Sequence, residues 1–273
     1  MSEKVCVVVA WWNEEQILKF LEAWGVTGKC LPDQGLIDHP PEWLILQRDA
    51  KREGCAVTKN KGVAEAMRRG FDVVVVLDDD CFPPPSQLEG PSSLGALMQM
   101  HAKCLEPQPI EMLLPVTTPI SRGTPYQERT VKLPVAASMG FWTEVGDYDA
   151  PSQLVYGAMH PMEFNRIRVV NNYFALCGMN LAFRPKDWLP WCTFIDVPRF
   201  DDIWMGWLWQ REAYRRGYCF NLNGPLVRHS RQSNVWQNLR DEAKHLEWNE
   251  TGWRQIATHT DGSYEGLRAL LPV

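Results

Sequence analysis

No two of the eight cysteines form a CxxC pair, and none falls into a zinc-ligand spacing. A zinc ribbon and a thioredoxin-type redox motif are thereby excluded. What remains is scattered thiols in mostly apolar or strand-like contexts (Cys6, Cys177, Cys219), expected to stay reduced in a cytoplasmic compartment. Long apolar runs are also missing. No stretch approaches the roughly 18 residues that a spanning helix needs. The N-terminus enters a short strand without a signal-peptide pattern, so neither a span nor a leader is expected. No GxGxxG follows the first predicted strand, which removes the dinucleotide fingerprint. Positive charge is not in excess: the net charge is −5, a global field that does not favour a polyanion. Locally, Arg211 to Lys244 carries seven Lys or Arg against three acids, a stretch that faces either phosphates or solvent. Internal repeats and low-complexity segments are absent as well.

What is present is the composition of a globular chain. Hydrophobic residues make up 45% and charged residues 22% of 273 positions, enough for one large α/β domain. The thirteen tryptophans are expected mostly in the core, although aromatic faces also hold sugars and bases. The most informative stretch is Val73-Val74-Val75-Val76-Leu77-Asp78-Asp79-Asp80-Cys81-Phe82-Pro83. A continuous β-branched run reads as a strand buried on both faces of a parallel sheet. Its last residues reach the carboxyl edge, where ligands of open α/β folds bind. Three adjacent carboxylates there call for a neutralising cation, and a divalent metal carrying phosphate oxygens is the usual solution. The alternative is a solvated acidic turn.

Around this stretch the chain alternates. Val5 to Ala10 predicts a first strand, and Asn13 caps a helix with Glu14 and Glu15 in its first turn, ended by Gly25. Trp43 to Gln47 predicts a second strand. Asn60-Lys61-Gly62 opens a second helix that runs to Gly70. Right-handed crossovers then place all three strand ends on one edge. A helix is predicted near Leu94 to Cys104 and a strand over Met112 to Val116. Residues 117 to 165 read as irregular, the pattern of active-site loops. Strand-like runs occupy Val169 to Phe183. A strong helix spans Ile203 to Arg216 behind Asp201-Asp202, Tyr218 to Leu222 forms a strand, and a polar helix from Trp236 caps the fold. The expected architecture is one α/β, Rossmann-like domain over 1–273, a mostly parallel sheet flanked by helices. It divides into a first half (1–82), a second half (83–235) and a C-terminal cap (236–273).

Several of these segments carry a resemblance. Trp12-Asn13-Glu14-Glu15, Asp49, Asn60-Lys61-Gly62-Val63-Ala64, Asp78-Asp79-Asp80, Phe200-Asp201-Asp202-Ile203 and His229 resemble the large inverting glycosyltransferases of GT-A fold. A closer likeness rests on five motifs in order: Leu77 to Phe82, Asp147-Tyr148-Asp149-Ala150-Pro151-Ser152-Gln153-Leu154, Cys177 to Phe183, Arg199 to Trp207 and His229 to Asn234. Over roughly residues 55 to 235 these resemble the reversibly glycosylated polypeptides, which are plant UDP-arabinopyranose mutases. The chain is shorter than is usual in that family and diverges between the motifs.

The resemblance implies a UDP-sugar and a divalent metal, Mn²⁺ or Mg²⁺, with Asp80 and His229 as ligands and Asp78 reaching the ribose, or the metal through water. Asp79 supports them. Trp11, Trp12, Asn13, Asp49 and Lys59 would form the uridine pocket, and Asp147 and Asp149 would meet sugar hydroxyls. Asn13 equally serves as a helix cap, and the two aspartates as turn formers. Of Asp201 and Asp202, one would cap the helix and the other, Asp202 by resemblance, would be the general base. Two neighbouring carboxylates push one pKa upward. Arg129, in the loop from Gly123, matches the family's arginine in spacing. A guanidinium is a poor nucleophile, so its reading is an electrostatic partner of the diphosphate or a structural salt bridge. The function expected is transfer of a sugar from UDP to an acceptor hydroxyl of a glycan, a protein or nucleic acid, including a modified base in phage-type DNA. UDP-arabinopyranose mutase-like interconversion is the alternative, and a non-catalytic UDP-sugar-binding subunit is the alternative of another class.

Overall fold

A computed structural model describes residues 3–26, 40–109, 132–158, 169–170, 172–230 and 234–273. In chain order the strands are β1 (Val5–Trp11), β2 (Leu44–Arg48), β3 (Val73–Asp78), β4 (Cys81–Phe82), β5 (Gln108–Pro109), β6 (Lys132–Leu133), β7 (Val135–Glu144), β8 (Val169–Val170), β9 (Asn180–Phe183) and β10 (Cys219–His229). The helices are α1 (Glu14–Ala23), α2 (Cys55–Arg68), α3 (Leu94–Cys104), α4 (Ala150–Tyr156), α5 (Pro185–Trp188), α6 (Asp201–Arg215), α7 (Val235–Glu242), α8 (Leu246–Thr258) and α9 (Tyr264–Arg268).

The valine runs of β1 and β3 have no solvent exposure from Val7 to Val9 and from Val73 to Leu77. Each such side chain removed from water contributes about 1.5–3 kcal/mol, and both strands lie inside the sheet with a neighbour on either side. They pair in parallel from Val5↔Val73 to Ala10↔Asp78, and β2 joins β1 in parallel to Trp11↔Arg48. The full order is β2-β1-β3-β9-β7-β10-β4, with β8 beside β10. Strands β2, β1, β3, β7 and β10 share one direction, and β9, β4 and β8 oppose them. The mostly parallel α/β sheet is therefore present, with a short antiparallel strand between its two parallel groups.

Several boundaries differ from the sequence reading. Helix α2 begins at Cys55, not Asn60. The Asp49 carboxylate accepts from the Glu53 and Gly54 amides at 2.8 and 3.0 Å, and Gly54 turns the chain at φ +106°, a region open mainly to glycine. Lys59 is thereby carried inside the helix and buried. Asp201 and Asp202 are the first residues of α6, and neither caps it; Phe200 occupies the cap position without a side-chain bond. The C-terminal segment forms three helices instead of one. The strand expected over Met112 to Val116 lies outside the described residues.

The segment read as irregular contains β7, ten residues long, and α4. Ala136, Ala137, Ser138 and Gly140 lack the bulk that announces a strand. They are small because β10 and Asn180 press on them. A Cβ at Gly140 would overlap Asn180 Nδ2 and the Pro225 carbonyl, neither of which is free to yield, because they are hydrogen-bonded to each other at 2.7 Å. Gly140→Ala is expected to lose about 2 kcal/mol, read as a fall of several degrees in melting temperature. Gly262→Ala, with open space around it, should leave that temperature unchanged.

Strand β10 also outruns its expected end at Leu222. Asn223-Gly224-Pro225 looks like a breaker but is absorbed by register shifts between Asn221 and Gly224 and between Gly224 and Val227. Gly224 makes this possible by lying against the Met139–Gly140 backbone. The strand then continues to His229, opposite Cys81 of β4. Beneath it, His101 of α3 joins Ser138 and Asn180 at 2.9 Å each. Burial, partly offset by the Asn180 bond, pulls its pKa down to about 4, so this core imidazole is neutral.

Candidate active site

Two cavities open at the carboxyl edge of β1, β2 and β3. One, of about 360 Å³, is walled by Trp11, Trp12, Asp49 and Arg52. The other, of about 260 Å³, holds Lys59, Asp80, Asp147, Asp201, Asp202 and His229. Asp78 and Cys55 line both.

The three carboxylates of the acidic stretch are not equivalent. Asp78 meets the buried Lys59 ammonium at 2.7 Å. Burial works against that ammonium, but Asp78 and its acidic neighbours outweigh it and hold its pKa well above the usual lysine value. Lys59 therefore belongs with the acidic cavity, not with the Trp11 side where the sequence reading put it. Asp79 is buried, and its carbonyl accepts from Gln16 Nε2 at 2.9 Å. Asp80 lies 3.6 Å from His229 Nε2. Nδ1 of His229 sits 2.9 Å from the Val145 carbonyl. Only a protonated Nδ1 can donate there, which directs Nε2 at Asp80. Burial lowers the His229 pKa, but the hydrogen bond and charge of Asp80 outweigh it, and the net shift is upward.

This geometry fits a cation in part. A carboxylate and an imidazole whose other ring nitrogen is held by a carbonyl are donor types that could hold a metal. Among the described residues no group of three or more His, Cys, Asp or Glu converges on one point. A cation held by only two protein groups would take its other ligands from phosphate oxygens or water, as Mg²⁺-type sites do.

The same cavity holds the second acidic pair. Asp202 Oδ2 accepts from the Gly178 amide at 2.6 Å. Burial first, and the Asp201 charge second, push the Asp202 pKa up to about 8. Burial raises Asp201 as well, with Lys59 opposing it. Gly178 is where a side chain could not fit: a Cβ there would strike the Phe194 ring at 2.5 Å. Asp147 reaches the cavity and accepts from Cys177 Sγ at 3.5 Å.

Not every expected residue joins. Asn13 caps α1, accepting from Gln16 N at 3.2 Å, and lines neither cavity. Asp149 caps α4 through Ser152 N at 2.7 Å and also stays out. For both, the capping role is the one observed. Asp49 lines the larger cavity while ordering the turn before α2. Trp11 is buried under Arg48, whereas Trp12 is 46% exposed with Arg52 stacked 4.0 Å from its ring. Arg129 lies outside the described residues.

The family model for the reversibly glycosylated polypeptide matches residues 72–256, more than half of the chain. The chain belongs to the reversibly glycosylated polypeptide family. It is 32% identical over 199 residues to probable UDP-arabinopyranose mutase 1 of Pisum sativum, and 30% identical over 198 residues to UDP-arabinopyranose mutase 3 of Arabidopsis thaliana. Each match takes in 65% of this chain and 52% of the relative, so the chain spans about half the length of the curated relatives it matches. A solved mannosyltransferase from Pyrobaculum calidifontis, in complex with GDP-Man and Mn²⁺, aligns at TM-score 0.43 and 16% identity over 99% of this chain and 74% of that one. Likeness at that level bears on neither ligand nor reaction.

The segment matched by the family model holds Asp78 to Asp80, Asp147, the Asp201–Asp202 pair and His229. Trp11, Trp12, Asp49 and Lys59 precede it. Among the polar side chains of the acidic cavity, Cys55, Gln153 and Arg199 were not singled out in the sequence. Gln153 and Arg199 stood inside recognised motifs. Cys55 lay ahead of the expected start of α2 and gave no signal.

Proposed function

We propose that the protein binds a UDP-sugar, breaks its anomeric C–O bond in the acidic cavity and returns the sugar to the diphosphate in the other ring form, as a UDP-arabinopyranose mutase does. The observation that carries this is that one cavity holds both the Asp80–His229 pair and the raised Asp202 carboxyl. The nucleoside would lie on the Trp11–Trp12 side, with Asp78 between base and sugar. A divalent cation, when bound at Asp80 and His229, would neutralise charge on the leaving diphosphate. A carboxyl with its pKa near 8 exchanges a proton at working pH. Giving and taking back one proton suits an isomerisation, in which none is lost overall. The relatives' names support the same reading. Cytoplasmic residence is part of it: the seven described cysteines are all unpaired. No helix among the described residues is long and apolar enough to cross a membrane.

A second reading, transfer to an outside hydroxyl, is favoured by one feature. Leu154, Val155 and Tyr156 are 44%, 72% and 81% exposed beside Gln153 of the cavity wall, an apolar rim on which a glycan, a protein or a nucleic acid could rest. Incubating UDP-arabinopyranose with the protein and Mn²⁺ separates the readings. Furanose product without acceptor supports the mutase. Label found only on an added acceptor supports the transferase. UDP binding without either product leaves the non-catalytic subunit.

Calorimetry tests the metal assignment. UDP is expected to bind at least tenfold more tightly with Mn²⁺ than without, and Asp80→Ala should abolish that gain while the fold persists. Equal affinity with and without metal in the native protein would sink it.

A further inference from the structure

Arg199 is built into the cavity wall at a conformational cost. It adopts φ +69°, which an L-residue pays about 1–2 kcal/mol to occupy. Such outliers persist where surrounding structure enforces them, and they cluster at ligand sites. The enforcement here is visible. Glu242 of α7 is 1% exposed. One of its oxygens accepts from Arg199 Nε at 2.9 Å, and the other from the Ala150 amide at 2.7 Å. One buried carboxylate thus ties the loop before α6, which delivers Asp201 and Asp202, to the start of α4, which follows Asp147.

The charges of the cavity separate Arg199 from its other cations. Lys59 is engaged by Asp78 and His229 by Asp80, both carboxylates of the cavity itself. The carboxylate partner of Arg199, Glu242, does not line the cavity. Of the five N–H groups of a guanidinium, one goes to Glu242 and one, at 3.5 Å, to the Tyr148 carbonyl. Among the described residues the other three have no partner, on a side chain 28% exposed.

Beside it, Gln153 is 9% exposed and also lines the cavity. Its Nε2 donates to the same Tyr148 carbonyl at 2.7 Å. Only the amide nitrogen can donate, so the orientation of the amide is determined. Its Oε1 is buried and has no hydrogen-bond partner among the described residues. An amide acceptor left in that state costs about 1–3 kcal/mol, which a ligand hydroxyl would recover.

We propose that Arg199 and Gln153, anchored together on the Tyr148 carbonyl, are the donor and acceptor that read hydroxyl groups of the sugar. Resting on the nucleotide-sugar reading above, this assigns the sugar's place to the part of the cavity beside Arg199 and Gln153, where the charges of Asp147 and Asp202 also act on the guanidinium. Arg199 donates to sugar oxygens, and Gln153 Oε1 accepts from a sugar hydroxyl. Glu242 is the positioning residue that holds Arg199 in its left-handed conformation.

The test compares UDP with UDP-arabinopyranose by calorimetry in the native protein, Arg199→Lys and Gln153→Ala. UDP lacks the sugar and reports the integrity of the nucleotide site. The expected result is UDP affinity within twofold of native in both variants. The ratio of the UDP-arabinopyranose to the UDP dissociation constant should rise at least tenfold in Arg199→Lys and at least threefold in Gln153→Ala. A ratio unchanged in both, whatever happens to UDP itself, overturns the assignment. A native protein that fails to bind UDP overturns the nucleotide-sugar reading, and this assignment with it; native UDP binding with unchanged ratios overturns the assignment alone.

Discussion

Asp202→Asn is expected to abolish turnover and to raise the melting temperature at the same time. Loss of a general acid–base costs about 10²–10⁴-fold in rate. The stability gain follows from the burial that raises the Asp202 pKa. Its carboxyl has a pKa near 8 in the folded protein against about 3.9 in an unfolded chain. Between those values the folded state holds the proton more tightly, so the group contributes most below pH 4 and its contribution is lost as pH rises through 8. An asparagine keeps the oxygen that accepts from Gly178 N and carries no charge to desolvate. The variant should gain roughly 2 kcal/mol or more at pH 8.5, a shift of about 4 °C or more, and the gain should vanish near pH 4. Thermal unfolding of both proteins across that range checks it. A melting temperature lowered at pH 8.5 would show that the ionised Asp202 stabilises the fold.

Lys59→Met should have the opposite effect on stability, and a large one. The ammonium is 4% exposed and meets Asp78, 27% exposed, at 2.7 Å; it also faces Asp201 and Asp202. Removing one partner of a buried ion pair costs about 3–5 kcal/mol, because the other charge stays behind. Asp78 keeps some solvent, which places the expected loss near the lower bound, about 3 kcal/mol. The double variant Lys59→Met/Asp78→Asn should recover at least half of it, as measured by urea unfolding. A double variant no more stable than Lys59→Met would mean that lysine packing, not charge pairing, carries the effect.

How far these residues could be read in advance depended on what surrounds them. Strands β1 and β3 announce themselves because their side chains are mostly β-branched and buried on both faces, β2 by the apolar run from Trp43 to Leu46, and α1 because Asn13 and Gly25 mark its ends. The Asp78–Asp80 edge followed directly. Strand β7 was illegible because its residues are small, and they are small because Asn180 and β10 crowd them. Those partners lie 40 or more residues away in sequence. Helix α2 was started late because Cys55 offers no start signal; Asp49 ends the previous strand and orders the turn from there. Asp149 and Asn13 could be read either way from type alone, and the backbone amides next to them decided for capping. Arg199 was visible only as a letter in a motif. Its conformation and its tie to Glu242, 43 residues on, are properties of the folded chain.

The register shifts on either side of Gly224 in β10 have a consequence for His229. In a strand, facing alternates with every residue, so each slip resets the phase of all that follows. Asn223, Gly224 and Pro225 therefore act as a spacer whose length decides which side of the sheet the histidine looks toward. Deleting one residue there would turn His229 away from Asp80 while leaving every cavity residue chemically intact. The strand's least regular segment thus sets the aim of its last side chain.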